Sequence, residues 1–261
     1  MFYDMMVVHI FLQQEIQYRY KKQEEEMEQL LYQEDTYLTQ VQAHVVAVQK
    51  DEKGMYVVLD QTIFYPQGGG QPSDQGVMIL DDDQIAITFV RQIEDEVRHY
   101  TPCFVNDRWL GLQVLCQIDA ARRLLNARYH TAAHLLGNIT EVEYPTLKAV
   151  KGHAFPGEAY VEFSGSEEIN AVSIQEHLKT AIEKGFSTHT LKLSSEEFEV
   201  QFYKLPYHVP ENKVFRAMRI GSYVPVPCGG THLRNIQEIG KITVRKISRK
   251  NGVTRISYEV T

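Results

Sequence analysis

Hydrophobic positions along the chain change their period near residue 36 and again near residue 119. Before residue 36, "QQEIQYRYKKQEEEMEQLLYQ" is polar, charged and free of Gly and Pro, which predicts a separable helical extension over 1–35. From there, short β-branched runs ("VQAHVVAV", "GMYVVLD", "QIAITFV", "EVRHYTP") alternate with breaks such as "QKDEKG" and "FYPQGGGQPSDQG". Strands of that length and spacing predict a small antiparallel, β-barrel-like or sandwich domain over 36–118.

The period becomes helical in "QIDAARRLLNARYHTAAHLLGN". Asp119 is a good N-cap and Gly137 a good residue just past the end. Ala121, Leu125, Ala132 and Leu136 fall on one side at 3.6 residues per turn, while His130 and His134 fall nearly opposite, with Ala127 and Gly137. Beyond it, "EAYVEFSG" predicts a strand and "SEEINAVSIQEHLKTAIEKG" a helix stopping at Gly185. "THTLKLS" predicts another strand, and Ser194 with Glu197 a capping box opening a short helix. "VFRAMRI", "IGKITVRKIS" and "VTRISYEV" predict strands, the last two joined by a two-residue hairpin at Asn251–Gly252. Helices mixed with an antiparallel-rich sheet make 119–261 an α+β domain, and the chain as a whole α+β. No internal repeat is visible.

Composition excludes several classes. Of 261 residues, 43% are hydrophobic and 23% charged, as in an ordinary globular protein. No apolar run approaches the roughly 20 residues of a membrane span. "MMVVHIFL" lacks the preceding basic residues and following small-residue site of a signal peptide, so the expected location is cytoplasmic. Three cysteines, Cys103, Cys116 and Cys228, do not make a disulfide framework. A net charge of −7 argues against indiscriminate nucleic-acid coating. Charge is uneven, however: "KITVRKISRKNGVTR", residues 241–255, holds six bases and no acid. Such a strip can place one phosphate backbone, or simply protect a sheet edge.

Two imidazoles four residues apart on a helix point the same way and can share one metal ion. The pair is not the HExxH protease helix, because residue 131 is threonine. A second pair, Cys228 and His232, sits in "PCGGTHL", where two glycines let a loop fold tightly enough for both side chains to converge. The deaminase pattern is absent, since it needs H-x-E and PCxxC. His130, His134, Cys228 and His232 together form a tetrahedral N/S set suited to one Zn2+ per chain.

"HTAAHLL" followed after about ninety residues by "CGGTH" resembles the editing domain of alanyl-tRNA synthetase and its free-standing AlaX relatives. "QTIFYPQGGGQPSDQG" is similar to the glycine-rich motif of the medium-length form, "KGHAFPGEAYVEF" to the strand region after the histidine helix, and "IGKITVRKISRKNGVTRISY" to the C-terminal hairpin. The likeness covers about residues 36–261, and the lack of a preceding aminoacylation domain matches the stand-alone proteins. It implies a trans-editing hydrolase acting on mischarged alanine tRNA, serine first and glycine second, with 119–261 as the zinc-binding editing domain and no membrane or DNA partner. A structural-zinc tRNA-binding module without hydrolysis, and a different zinc hydrolase on the same scaffold, stay open.

An activation pocket cannot strongly reject an analogue that only adds a hydroxyl, so a second site must sort the products. Gly68, Gly69, Gly70 and Gln71 are expected to pack over that pocket and set amino-acid choice; the alternative is a wide turn capped by Asp74. The catalytic group is left open, with Gln71, Thr62 and Thr131 as candidates, the two threonines also for contacting the substrate hydroxyl. Lys241, Arg245, Lys246, Arg249 and Lys250 become candidates for holding tRNA phosphates. The zinc would either activate water or position the aminoacyl end; four protein ligands favour positioning.

Overall fold

A computed structural model describes residues 29–165, 167–202 and 214–261. Most of the helical extension expected over 1–35 lies outside the described residues. Within them, Gln29–Leu30 form a short strand, β1, followed by one 3-10 turn over Leu31–Gln33.

The first half of the chain continues with β2 (Gln40–Asp51), β3 (Gly54–Leu59), β4 (Gln61–Thr62), β5 (Gly76–Leu80), β6 (Asp83–Ile87), β7 (Phe89–Ile93), β8 (Glu96–Thr101) and β9 (Gln113–Ile118). Seven of these form one antiparallel sheet in the order β6-β5-β9-β2-β3-β8-β7, and β1 pairs in parallel with β4. β2 serves both halves of the sheet. Gln40–His44 pair with β9, and the stretch from Val45 pairs with β3 across a register shift between Val45 and Ala47. A shift of that kind bends the strand, and the sheet folds over a core containing Val45, Val57, Leu59, Met78, Ile87 and Val97.

The barrel expected over 36–118 is not closed. β6 and β7 are the sheet's two edges, with no ladder between them. "QIAITFV" is not one strand but two, broken at Thr88, whose N–H turns away to Tyr100 O at 3.0 Å. The chain thereby crosses from one half-sheet to the other covalently, where a closing ladder would otherwise run.

The second half holds α1 (Ala120–Glu143), β10 (Lys148–His153), β11 (Tyr160–Ser164), α2 (Ala171–Lys184), β12 (Thr188–Ser194), α3 (Ser195–Phe202), β13 (Val214–Ile220), β14 (Val226–Pro227), β15 (Ile242–Lys250) and β16 (Val253–Val260). An antiparallel sheet, β10-β11-β16-β15, packs one face against α1 and α2. A smaller sheet, β12-β13-β14, carries the chain toward Cys228. The architecture is mixed helix and sheet, dominated by antiparallel strands, as the α+β expectation required.

Local signals account for most ends. The Asp119 side chain accepts from Arg122 N at 3.0 Å, opening α1. Asn170 caps α2, and Gly185 ends it at φ 68°. Ser194 and Glu197 form the reciprocal bonds of a capping box, at 3.1 and 2.7 Å. Asn251 and Gly252 both take positive φ, 52° and 75°, as the tight turn between β15 and β16 needs.

α1 departs from expectation in two ways. It runs through Gly137 to Glu143, because Gly137 lies against β10 and Ala149 rather than at a free end. Its early apolar positions also face solvent: Leu124 and Leu125 are 37% and 38% exposed, while Arg123 is wholly buried. From Tyr129 to Thr140 the helix is buried on nearly every side, threaded between the four-stranded sheet, α2 and the loop after β14.

Candidate functional site

Arg123, Ala127, His130 and His134 make one row along α1 at helical spacing. Arg123 anchors the row. Its guanidinium pairs with Asp74, also fully buried, and donates to the carbonyls of Thr36 (2.9 Å) and Ile63. Asp74 also accepts from Tyr65 N at 2.7 Å, so it both closes the glycine-rich loop and ties it to the histidine helix. Sequence reasoning assigned Asp74 only the turn. Arg123 was overlooked although it lies in the histidine row one turn before Ala127, and that position was its available signal.

The second pair of candidate ligands arrives on the loop after β14. Arg216 of β13 donates to Cys228 O at 2.8 Å and Gly230 O at 2.9 Å, folding the loop around its guanidinium. His232 N donates to Thr36 Oγ1, and Leu233 N to Thr131 Oγ1, both at 3.1 Å. Gly230 is required by space: a Cβ there would stand 2.2 Å from His130 Cε1.

These elements bring His130, His134, Cys228 and His232 together, with one ligand atom of each within 4.8 Å of the others. Cys228 Sγ lies 3.5 Å from His130 Nε2 and 3.4 Å from His232 Nε2. The edge between N and S around a tetrahedral Zn2+ is about 3.6 Å when the bonds are about 2.0–2.3 Å, so the spacing matches. Among the described residues, His134 Nε2 and His232 Nδ1 are buried without a hydrogen-bond partner.

The tautomer of His130 follows from its neighbours. Thr231 N donates to Gln71 Oε1 at 3.1 Å, which fixes the orientation of that amide. Oε1 must then accept from His130 Nδ1–H, 2.7 Å away, leaving the Nε2 lone pair for a metal. Burial holds all three imidazoles below their ordinary range, reinforced by neighbouring histidines at His130 and His232 and by Arg216. His134 falls to about 4. They are therefore neutral, the ligating form. Burial pushes the Cys228 thiol up to about 11, against the opposing pull of Gly230 N–H and Arg216. The donor chemistry, spacing and buried lone pairs fit a thiophilic divalent cation.

The remaining candidates separate clearly. Gly69 and Gly70 have φ of 52° and 80°, and a Cβ on Gly70 would meet Gly152 O at 2.3 Å. Ala154 N donates to Gly70 O at 2.7 Å, so the loop is docked on the end of β10. Gly68 and Gln71 close the turn, Gln71 N donating to Gly68 O at 2.8 Å. The Gln71 side chain is wholly buried; besides its Oε1 contacts, its Nε2 donates to Thr231 Oγ1 at 2.9 Å. Thr131 is buried and holds Leu233. Thr62 lies in the first half of the chain, its hydroxyl 2.8 Å from His99 Nε2 and accepting from Phe64 N. Lys241, Arg245, Lys246, Arg249 and Lys250 are all exposed along the β15 edge, Arg245 lying 3.8 Å from Glu259.

A cavity of about 370 Å³ opens beside the cluster, with His130, His134 and Cys228 in its wall. Gly69 lines one side, Lys151, Gly152 and Ala154 of the β10 region another, and Asn138 and Glu141 of α1 add polar groups.

Comparison with known proteins places this arrangement. Residues 7–122 match the model for class II (A) tRNA synthetases, and residues 216–257 match the second additional domain of threonyl and alanyl tRNA synthetases. The alanyl-tRNA editing protein AlaX-M of Methanosarcina acetivorans is 31% identical over 246 residues, covering 89% of this chain and 98% of that protein. The chain belongs to the alanyl-tRNA editing family. AlaX-L of Pyrococcus horikoshii is 30% identical over 230 residues, and an alanine–tRNA ligase of Ignicoccus hospitalis is 30% identical over 237. The chain spans 56% of that AlaX-L and 25% of the ligase. Among the described residues, no helix is long and apolar enough to cross a membrane.

Proposed function

We propose that this AlaX-family chain hydrolyses the ester joining a wrong amino acid to the 3′ end of alanine tRNA, with serine the principal substrate and glycine the second. Water adds to the ester carbonyl, the bond to the ribose oxygen breaks, and the products are a free amino acid and uncharged tRNA. The observation that carries the proposal is the convergence of His130, His134, Cys228 and His232, the first three of them in the wall of a cavity of about 370 Å³ that has room for an aminoacyl end. The naming of its relatives as alanyl-tRNA editing proteins supports the choice of tRNA.

Zn2+ held by these four residues would supply a fixed positive charge beside the ester. The protein's part is to hold that set and to shape the pocket. Gln71 keeps the His130 lone pair aimed inward, Gly230 leaves His130 its space, and the glycine-rich loop, docked on β10 through Gly70, walls one side of the cavity at Gly69. Discrimination against alanine calls for a polar group that a serine hydroxyl satisfies and a methyl leaves unpaired. The exposed bases of β15 hold the phosphate backbone, the protein works without ATP, and it acts in the cytoplasm on translation fidelity. Incubation with serine-charged and alanine-charged alanine tRNA tests the reading: serine should be released rapidly and alanine retained. Binding of both without release would leave a structural-zinc tRNA-binding module.

A further inference from the structure

We propose that the outer face of the β10-β11-β16-β15 sheet is a stacking platform for the single-stranded 3′ end of the RNA, leading it over the β10 edge into the metal-side cavity. The ligand assignment rests on the ester-hydrolysis reading above; the platform is carried by its own geometry.

The register of the sheet sets two cross-strand rows on the face away from α1 and α2. His153 pairs with Tyr160, Tyr160 with Ser257, and Ser257 with Lys246. In the neighbouring row Lys151 pairs with Glu162, Glu162 with Arg255, and Arg255 with Ser248. The inward positions between them, Val161, Phe163 and Ile256, fill the core.

On this outer face the planar groups stack. The His153 ring lies on Phe155 with centroids 4.3 Å apart and planes 5° apart, and on Tyr160 at 5.1 Å and 27°. The Arg255 guanidinium sits 3.9 Å from the Tyr160 centroid, held by Glu162 at 2.9 Å, and Lys151 Nζ is 5.9 Å from the same ring. His153, Phe155 and Tyr160 are only half-buried, and Lys151, Lys246 and Arg255 are exposed. Three acids share the face among the described residues: Glu162 is taken up by Arg255, Glu158 lies 3.7 Å from His153 at the rim, and Glu259 at the far end of the sheet lies 3.8 Å from Arg245. Aromatic faces interleaved with cations, on a sheet and beside a pocket, suit unpaired bases and their phosphates.

Continuity with the cavity selects the occupant. Lys151, Gly152 and Ala154 line the cavity, while His153, between them, stands in the outer-face row with Tyr160. A strand end that delivers its terminal ribose to the metal side therefore lays its preceding bases on the His153–Phe155–Tyr160 column. Lys246 joins this face through its row with Tyr160, which gives one residue of the basic β15 strip a place on the same path.

The test uses the full chain and fluorescence anisotropy with two RNA hairpins, one carrying a single-stranded 3′ ACCA end and one blunt. The wild type should prefer the overhang. Tyr160→Ala and Phe155→Ala should each lower that preference about fivefold or more, raise KM for charged tRNA with little change in kcat, and leave metal content unaltered. Tyr160→Phe, which keeps the ring, should behave as wild type. If Tyr160→Ala does not fold, Phe155→Ser, in the loop between β10 and β11, carries the test. Equal binding of the two hairpins by the wild type, or an unchanged preference in the alanine variants, overturns the platform. An overhang preference that depends on these rings, in a protein that releases no amino acid from any charged alanine tRNA, would keep the platform and reject the hydrolysis reading.

Discussion

Gln71 is a buried amide that touches both halves of the His/Cys cluster without belonging to it. Its oxygen accepts from both His130 Nδ1 and Thr231 N, and its nitrogen reaches Thr231 Oγ1, so every contact orients a candidate ligand or the loop bearing Cys228 and His232. Partners of metal-bound histidines are commonly worth 10–100-fold in affinity. Gln71→Leu should weaken zinc binding by about that factor, while Gln71→Glu, which still accepts from His130, should lose less; competition with a chelator reads both. Gly230→Ala should be more severe, because its Cβ would overlap His130.

His99 is a separate residue-scale case. Its Nδ1–H donates to Val57 O at 2.9 Å, which leaves Nε2 to accept from Thr62 Oγ1. Burial lowers His99 from 6.5 to about 4. Between those values the unfolded chain holds a proton that the folded chain does not. The stability His99 contributes is therefore complete above about pH 6.5 and is lost as pH falls toward 4, about 3 kcal/mol in all. Urea midpoints measured from pH 7 to pH 4 should fall less steeply in His99→Gln than in the wild type; parallel curves would contradict the assignment.

At the scale of elements, the decisive link is the buried pair that joins α1 to the glycine-rich loop. Arg123 and Asp74 lose all contact with water, and their attraction offsets that cost only while both are present. Arg123→Met should destabilise the protein by about 3–5 kcal/mol. Arg123→Met with Asp74→Asn should recover part of it, since the amide can still accept from Tyr65 N. Denaturant titration of the single and double variants measures the difference. The same elements show what sequence reveals and what it conceals. The hairpin at Asn251–Gly252, the Gly185 stop and the Ser194 box are legible because a few adjacent residues decide them. The burial of Arg123 and the passage of α1 through Gly137 depend on what other segments bring against the helix, Asp74 and Ile63 in the first case and Ala149 of β10 in the second. β10 was legible only as part of a family likeness, since "KAVKGH" has little apolar alternation of its own. The break at Thr88, which leaves the first sheet open, likewise turns on Tyr100 rather than on any local signal.

For the molecule as a whole, the convergence of His130, His134, Cys228 and His232 was legible from spacing: two pairs of metal-binding residue types, one on a helix and one on a glycine loop, far apart in the chain. Their second contacts were not, because Thr36, Gln71 and Arg216 reach the site from three distant segments. The assembled site predicts about one zinc per chain in freshly purified protein, with Cys228→Ala reducing it to a small fraction, by elemental analysis. Lys246→Glu should raise the tRNA concentration needed for half-maximal rate and reduce the salt dependence of binding, with less effect on turnover. An unchanged salt slope would mean that the β15 bases only protect a sheet edge.

The central claim is tested most directly by following amino-acid release from serine-charged and alanine-charged alanine tRNA with the zinc-loaded full chain. Serine should be released rapidly and alanine kept, with the serine activity lost in Cys228→Ala. Retention of both amino acids, or release of both at equal rates, would contradict the account.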